Sequence, residues 1–463
     1  MKRWLPTIAG LLLLAGLGFW VVKYETGSKA GENKTRIYKV EQSDIVRFRL
    51  ENAEKGVTIE CGKQKDGTWW ITAPERLETE TDAVESVVRH LASPEVERDL
   101  GPQTELTPFQ LDKPSCKAVF FTKDGGSRTL LIGSKNPADT AYFVKESDGK
   151  NVYTVAAWSA DNMRKAVSDL RSKSLLAFDP AAVTRLVLKR PKGGKVEMAR
   201  DGTDGGWRMT APAEVPADRY AVDGILNDLK NLKGTEVIEE PLAWSRYKLD
   251  QPTVVVTVFT RTGTPQEVTL SRPDLKKEEA FASSSRLPFV FKLGSAYVLN
   301  GLLKGVDEYR ERLLLSLNRE DVSEMTLTQG ALKVVCGKDS GGKWAVKEPP
   351  ARTAMADEIN ELLFEVVYVR AEKFVDDAPK VPAKYGLDPP RVSVLLKGTK
   401  DGKPTTSRYY LGNRIGENAF YKSDDRPAVC EVRKAILEKV ERFVDQVRAG
   451  PAAKTAGTAG SRK

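Results

Sequence analysis

Trp69-Trp70-Ile71-Thr72-Ala73-Pro74 returns as Trp207-Arg208-Met209-Thr210-Ala211-Pro212 and again as Trp344-Ala345-Val346-Lys347-Glu348-Pro349. The prolines lie 138 and 137 residues apart (212 − 74 and 349 − 212). A second landmark keeps that step: Phe109-Gln110-Leu111-Asp112-Lys113-Pro114, Tyr247-Lys248-Leu249-Asp250-Gln251-Pro252 and Tyr385-Gly386-Leu387-Asp388-Pro389-Pro390. Two motifs in one register make a chain of tandem copies, each a supersecondary unit with its own core. The periodicity predicts units over 40–178, 179–317 and 318–448.

Each copy carries a helix between its landmarks. Val84, Val87, Val88 and Leu91 follow i, i+3, i+4, i+7 spacing, as do Val222, Ile225, Leu226 and Leu229, and Ile359, Leu362, Leu363 and Val366. Such a stripe buries one helix face against a flat partner. Asp82, Asp218 and Asp357 stand near the starts, where exposed amide groups favour negative charge.

Alternating apolar residues predict strands elsewhere: Val57, Ile59 and Cys61; Leu332, Val334 and Cys336; and the runs at 118–121, 129–132, 142–144 and 152–155. The expected unit is β-β-α-β-β-β-β-α. Tight turns between strands imply a mainly antiparallel sheet with helices packed on it, an α+β fold.

Ahead of the repeats, Trp4 to Val22 is an apolar run without charge, between Lys2-Arg3 and Lys23. As a helix it would measure roughly 27 Å, near the thickness of a bilayer core. The expectation is a cytoplasmic tail at 1–3, a single transmembrane anchor at 4–22 and a linker at 23–39. The short tail ahead of a large body places that body outside the cytoplasm, with the chain in the cytoplasmic (inner) membrane. A cleaved signal peptide ending near Ser28-Lys29-Ala30 is the competing reading. Residues 449–463, rich in Ala, Gly and Thr, are expected to be disordered.

Composition excludes several functions. The net charge of +9 comes from 73 basic and 64 acidic residues that are interspersed, without the basic block of a nucleic-acid arm. His90 is the sole histidine and falls within a helical stripe, so triad catalysis and histidine metal sites have no motif to rest on. Ser147-Asp148-Gly149-Lys150 and Ser340-Gly341-Gly342-Lys343 match a Ser-x-x-Lys spacing but sit in hairpin turns, not on the helical turn that chemistry needs. The sequence implies no catalytic residue, cofactor or metal. Trp69, Trp207 and Trp344 read as core caps, with a ligand platform as the alternative, and each Leu-Asp-x-Pro as a turn whose Leu fills the core while its Asp satisfies backbone donors. Cys61, Cys116, Cys336 and Cys430 allow Cys61–Cys116 and Cys336–Cys430 bridges or, equally, buried thiols.

These landmarks resemble the bacterial family known as domain of unknown function 4340. The fullest match is Tyr385 to Pro390; Leu131-Ile132-Gly133 and Arg171 to Leu176 match in copy one. Copy two departs after Leu270 and copy three lacks the closing Arg-x-Lys segment. The resemblance implies an envelope component beside ABC transporters of the gliding-motility auxiliary type, and no established activity. The expectation is therefore a membrane-anchored, non-enzymatic, extracytoplasmic interaction protein that partners ABC-type or other envelope proteins. The alternatives are a glycan- or lipid-binding module, or a hydrolase with an unfamiliar site.

Overall fold

The computed structural model describes residues 35–201, 205–239, 243–272, 279–295, 297–349 and 355–449. Copy one runs β1 (Ile45–Asn52), β2 (Val57–Lys63), β3 (Trp69–Ala73), β4 (Leu77–Glu78), α1 (Thr81–Ala92) and β5 (Arg98–Pro102). It continues through β6 (Cys116–Thr122), β7 (Ser127–Lys135), β8 (Ala141–Glu146) and β9 (Asn151–Ala156) to the short helices α2 (Ala157–Asn162) and α3 (Val167–Leu170).

Copy two repeats the series as β10 (Val183–Arg190), β11 (Gly194–Arg200), β12 (Trp207–Ala211), β13 (Val215–Pro216), α4 (Arg219–Lys230) and β14 (Glu236–Ile238). It then adds β15 (Val254–Thr260), β16 (Gln266–Leu270), β17 (Ala280–Ser284), β18 (Val290–Leu293) and α5 (Val298–Leu302). Copy three holds β19 (Val322–Gln329), β20 (Leu332–Lys338), β21 (Trp344–Glu348), α6 (Ala356–Val367) and β22 (Lys373–Asp376). It closes with β23 (Val392–Lys400), β24 (Lys403–Ile415), β25 (Asn418–Ser423), β26 (Val429–Arg433) and α7 (Lys434–Ala449).

One strand order recurs. The first sheet is β4-β3-β2-β1-β6-β7-β8-β9-β5; the second includes β13-β12-β11-β10-β15-β16-β17-β18; the third is β21-β20-β19-β23-β24-β25-β26-β22. The strand that joins the two meanders, β1, β10 or β19, is one that the hydrophobic pattern does not disclose. In β1, Arg47, Arg49 and Glu51 interrupt the apolar series, yet Phe48 pairs Cys61 on one side and Phe120 on the other. Charged ends reach solvent while Ile45, Phe48 and Leu50 are fully buried.

Each long helix buries the predicted stripe. Val84, Val87, Val88 and Leu91 of α1 are buried, each contributing up to about 1.5–3 kcal/mol. Helix α7 takes the place of the paired short helices. It buries Ile436, Leu437, Val440, Phe443, Val444 and Val447 in the third core. Capping a terminal repeat with a distinctive element is usual in tandem arrays.

The expected fold class needs correcting. The described residues form three antiparallel sheets that outweigh the helices, and no helix among them is long and apolar enough to cross a membrane. Packing on a sheet requires one apolar stripe and leaves the other helix face charged, as in α7. The segment 4–22, read as a transmembrane anchor, lies outside the described residues, as do Ser28-Lys29-Ala30 and the tail from Gly450. Contacts group residues up to Ser174 with Lys233–Ile238 as one compact unit, and Leu175–Leu232 with Glu239 onward as another.

Candidate functional site

The tryptophan hairpin is built alike three times. Trp69 pairs across its hairpin with Lys63, Trp207 with Arg200 and Trp344 with Lys338. Each cation lies over its indole, at 6.0, 4.7 and 5.6 Å from the ring centroid. The rings are buried, so a cation seals each core edge and no ring is free as a ligand platform. A register shift in each copy then leaves Thr72, Thr210 or Lys347 as the extra residue. The peptide bonds before Pro74, Pro212 and Pro349 are cis.

The second landmark forms a short 3-10 turn: Thr107–Phe109, Trp244–Tyr247 or Pro382–Tyr385. Gln110, Lys248 or Gly386 follows with φ of 51°, 58° or 66°. That left-handed residue turns the chain so that Leu111, Leu249 and Leu387 enter the core. The preceding aromatic packs edge-on against Phe143, Phe281 or Phe420, with centroids 5.0 Å apart in every copy. Pro114, Pro252 and Pro390 lead into β6, β15 and β23. Asp112, Asp250 and Asp388 are exposed, and among the described residues no backbone amide donates to them. The amides of the turn donate to carbonyls instead, Gln110 to Thr107 and Leu111 to Leu106 in copy one.

A third repeated element carries more consequence than its sequence suggests. Arg171 and Arg310, leading the Arg-x-basic segments, form isolated bridges to Thr79 and Ala217 just ahead of α1 and α4. Arg310 is 5 % exposed. Its guanidinium lies 3.8 Å above the Phe374 ring and donates to Asp377 at 2.6 Å. Two residues on, Arg312 donates to the carbonyls of Ala371 and Glu372 at 3.1 and 2.9 Å. Copy two is thereby stapled to copy three. Ser174 bridges Lys233 in the same manner. A buried arginine in a segment without hydrophobic period leaves only its basic spacing as a signal.

The remaining candidates are structural in their surroundings. His90 Nδ1 donates to the Ser86 carbonyl at 2.6 Å, and its ring packs edge-on against Trp158 at 5.4 Å. Ser147–Lys150 lies in the turn between β8 and β9, and Ser340–Lys343 in that between β20 and β21. Among the described residues no three His, Cys, Asp or Glu side chains form a metal-binding group.

All four cysteines are free and buried. Burial pushes each thiol up to about 12. The candidate bridges fail on topology. Cys61 on β2 and Cys116 on β6 flank β1, opposite Phe48 and Asn52. Two strand spacings and four residues of offset separate them by about 15 Å, against a disulfide limit of about 7 Å. Cys336 and Cys430 lie on β20 and β26, with four strands between them in the sheet.

No curated protein and no solved structure matches the chain. A family profile described as a domain of unknown function does match, over residues 69–206 and 207–390. Both segments begin at a hairpin tryptophan, so the profile's phase cuts the first two sheets between their second and third strands in chain order. With more than half of the chain covered by two consecutive matches, this protein belongs to the family known as domain of unknown function 4340.

Proposed function

We propose that this protein is a non-enzymatic, extracytoplasmic interaction module that serves an ABC-type transporter or another envelope machine. The supporting observation is a set of large aromatic side chains held out to solvent by the repeated helices. Trp158 on α2 is 64 % exposed, Tyr220 on α4 88 %, Tyr297 beside α5 68 % and Phe364 on α6 52 %. Phe364 packs edge-on against Tyr368, 5.0 Å away. Aromatic residues on rigid elements are the usual anchors of protein interfaces, because they bury much area at little entropic cost.

Photo-crosslinking tests the reading. A photoreactive residue placed at Trp158 or Phe364 in the full chain should capture transporter or envelope subunits in intact cells. Recovery of uncrosslinked chain alone from both positions, with the protein folded and present, would overturn it. A glycan-array signal lost on Trp158→Ala would favour the ligand-binding alternative instead.

A further inference from the structure

Copies one and two fill one place in the fold with different charges. It lies where the hairpin after the first strand approaches the Leu-Asp-x-Pro turn and the element following the ninth strand. In copy one that element brings in Arg164, which is 7 % exposed and paired with Glu54 and Asp161. Asn52 Nδ2 donates to the Arg164 carbonyl at 2.8 Å. In copy three Glu441 of α7 pairs with Arg391 at 2.8 Å, just after the Leu-Asp-x-Pro turn, and with Arg414 at 2.7 Å. In both arrangements the charged side chains are paired internally.

In copy two they are not. Arg190 ends the eight-residue β10 as Asn52 ends the eight-residue β1, and both strands carry a register shift after their first residue. Arg190 donates to the carbonyls of Lys304 at 2.5 Å and Gly193 at 3.3 Å, so Lys304 meets Arg190 as Arg164 meets Asn52. Lys192 stands second in the hairpin turn, as Glu54 does. Arg272 follows Ser271 as Ser134 follows Gly133. Among the described residues none of these four cations has an ion pair, and the buried Arg190 Nε has no hydrogen-bond partner. Arg190, Lys192 and Arg272 line a cleft of about 850 Å³, with Leu303, 43 % exposed, and Asp250 on its wall.

We propose that this cleft binds a phosphate-type polyanion, which supplies the negative charge that Glu54 supplies in copy one. Guanidinium and ammonium groups lining a concave surface suit oxyanions. The Leu303 side chain leaves room for an apolar continuation of the ligand. The shared chemistry is a phosphate group, free or on a lipid head.

Calorimetric titration of the full chain with inorganic pyrophosphate at low salt, and flotation with phosphatidylglycerol-phosphatidylcholine vesicles, tests this. At least one probe should bind, and K192E/R272E should weaken that binding by about tenfold or more. Lys304→Glu should weaken it similarly by placing an acid beside Arg190, whereas Lys403→Glu, on a hairpin of copy three, should leave it unchanged. Circular dichroism confirms that each variant is folded. Pyrophosphate binding alone identifies a soluble phosphate compound; vesicle binding identifies a lipid head group. Failure of both probes, or binding indifferent to K192E/R272E and Lys304→Glu, would overturn the proposal.

Discussion

Glu80 Oε2 accepts a hydrogen bond from the Lys233 ammonium at 2.7 Å, across 153 residues of chain. Glu80 stands just ahead of α1, and its other oxygen accepts from the Lys173 amide at 2.9 Å. One carboxylate thus ties three segments of the first compact unit: the entry to α1, the Arg171 segment and the stretch from Lys233.

That carboxylate should make stability pH-dependent. Burial alone would raise its pKa, but the Lys233 and Lys173 hydrogen bonds together hold it below the usual range. The folded value being the lower one, its stabilisation is complete above the unfolded carboxyl range, near about pH 4.3, and fades as pH falls through the folded value. Glu80→Gln should cost about 1 kcal/mol at pH 7 after allowing for partial exposure, and little at pH 3. Urea titrations of both proteins across that range check this; equal slopes of stability against pH would contradict it.

Three glycines should separate sharply on substitution. A Cβ at Gly133 would lie 2.0 Å from the Phe109 carbonyl oxygen, and one at Gly412 2.2 Å from that of Tyr385. The strand backbone passes directly against the Leu-Asp-x-Pro turn. Gly133→Ala and Gly412→Ala should each cost about 3 kcal/mol or more, since backbone cannot move aside cheaply. Gly224, inside α4 with nothing within 4 Å, should behave oppositely. Gly224→Ala should stabilise by about 0.5–1 kcal/mol. Thermal denaturation of the three variants measures all of these effects.

The edge-on pair of Tyr385 and Phe420 should be energetically coupled. A double-mutant cycle with Tyr385→Leu and Phe420→Leu should return about 0.5–1.5 kcal/mol beyond the burial lost by each. Strict additivity would mean that ring geometry contributes nothing at this recurring contact.

The thiols should be silent in the folded protein. With all four buried and pushed up to about 12, a thiol reagent at pH 8 should label none of them over the time that denatured chain is labelled fully. Mass spectrometry should then count four free thiols after denaturation without reductant. A 2 Da deficit from an oxidised pair would contradict the topology.

Sequence periodicity by itself determined the recurrence of the unit, the hairpin tryptophans, the buried leucine of each turn and the helix faces. These depend on local spacing, and a 3.6- or 2-residue pattern survives in one dimension. Only the tertiary structure decided the central strands, because β1 is satisfied from both sides by partners 13 and about 70 residues away and can carry charges between its buried positions. It alone also separated Cys61 from Cys116, buried Arg310 against Phe374, and gathered Arg190, Lys192 and Arg272 around one cleft. Such pairings depend on which strands lie side by side, and hydrogen bonding between strands carries no trace of that choice in local composition.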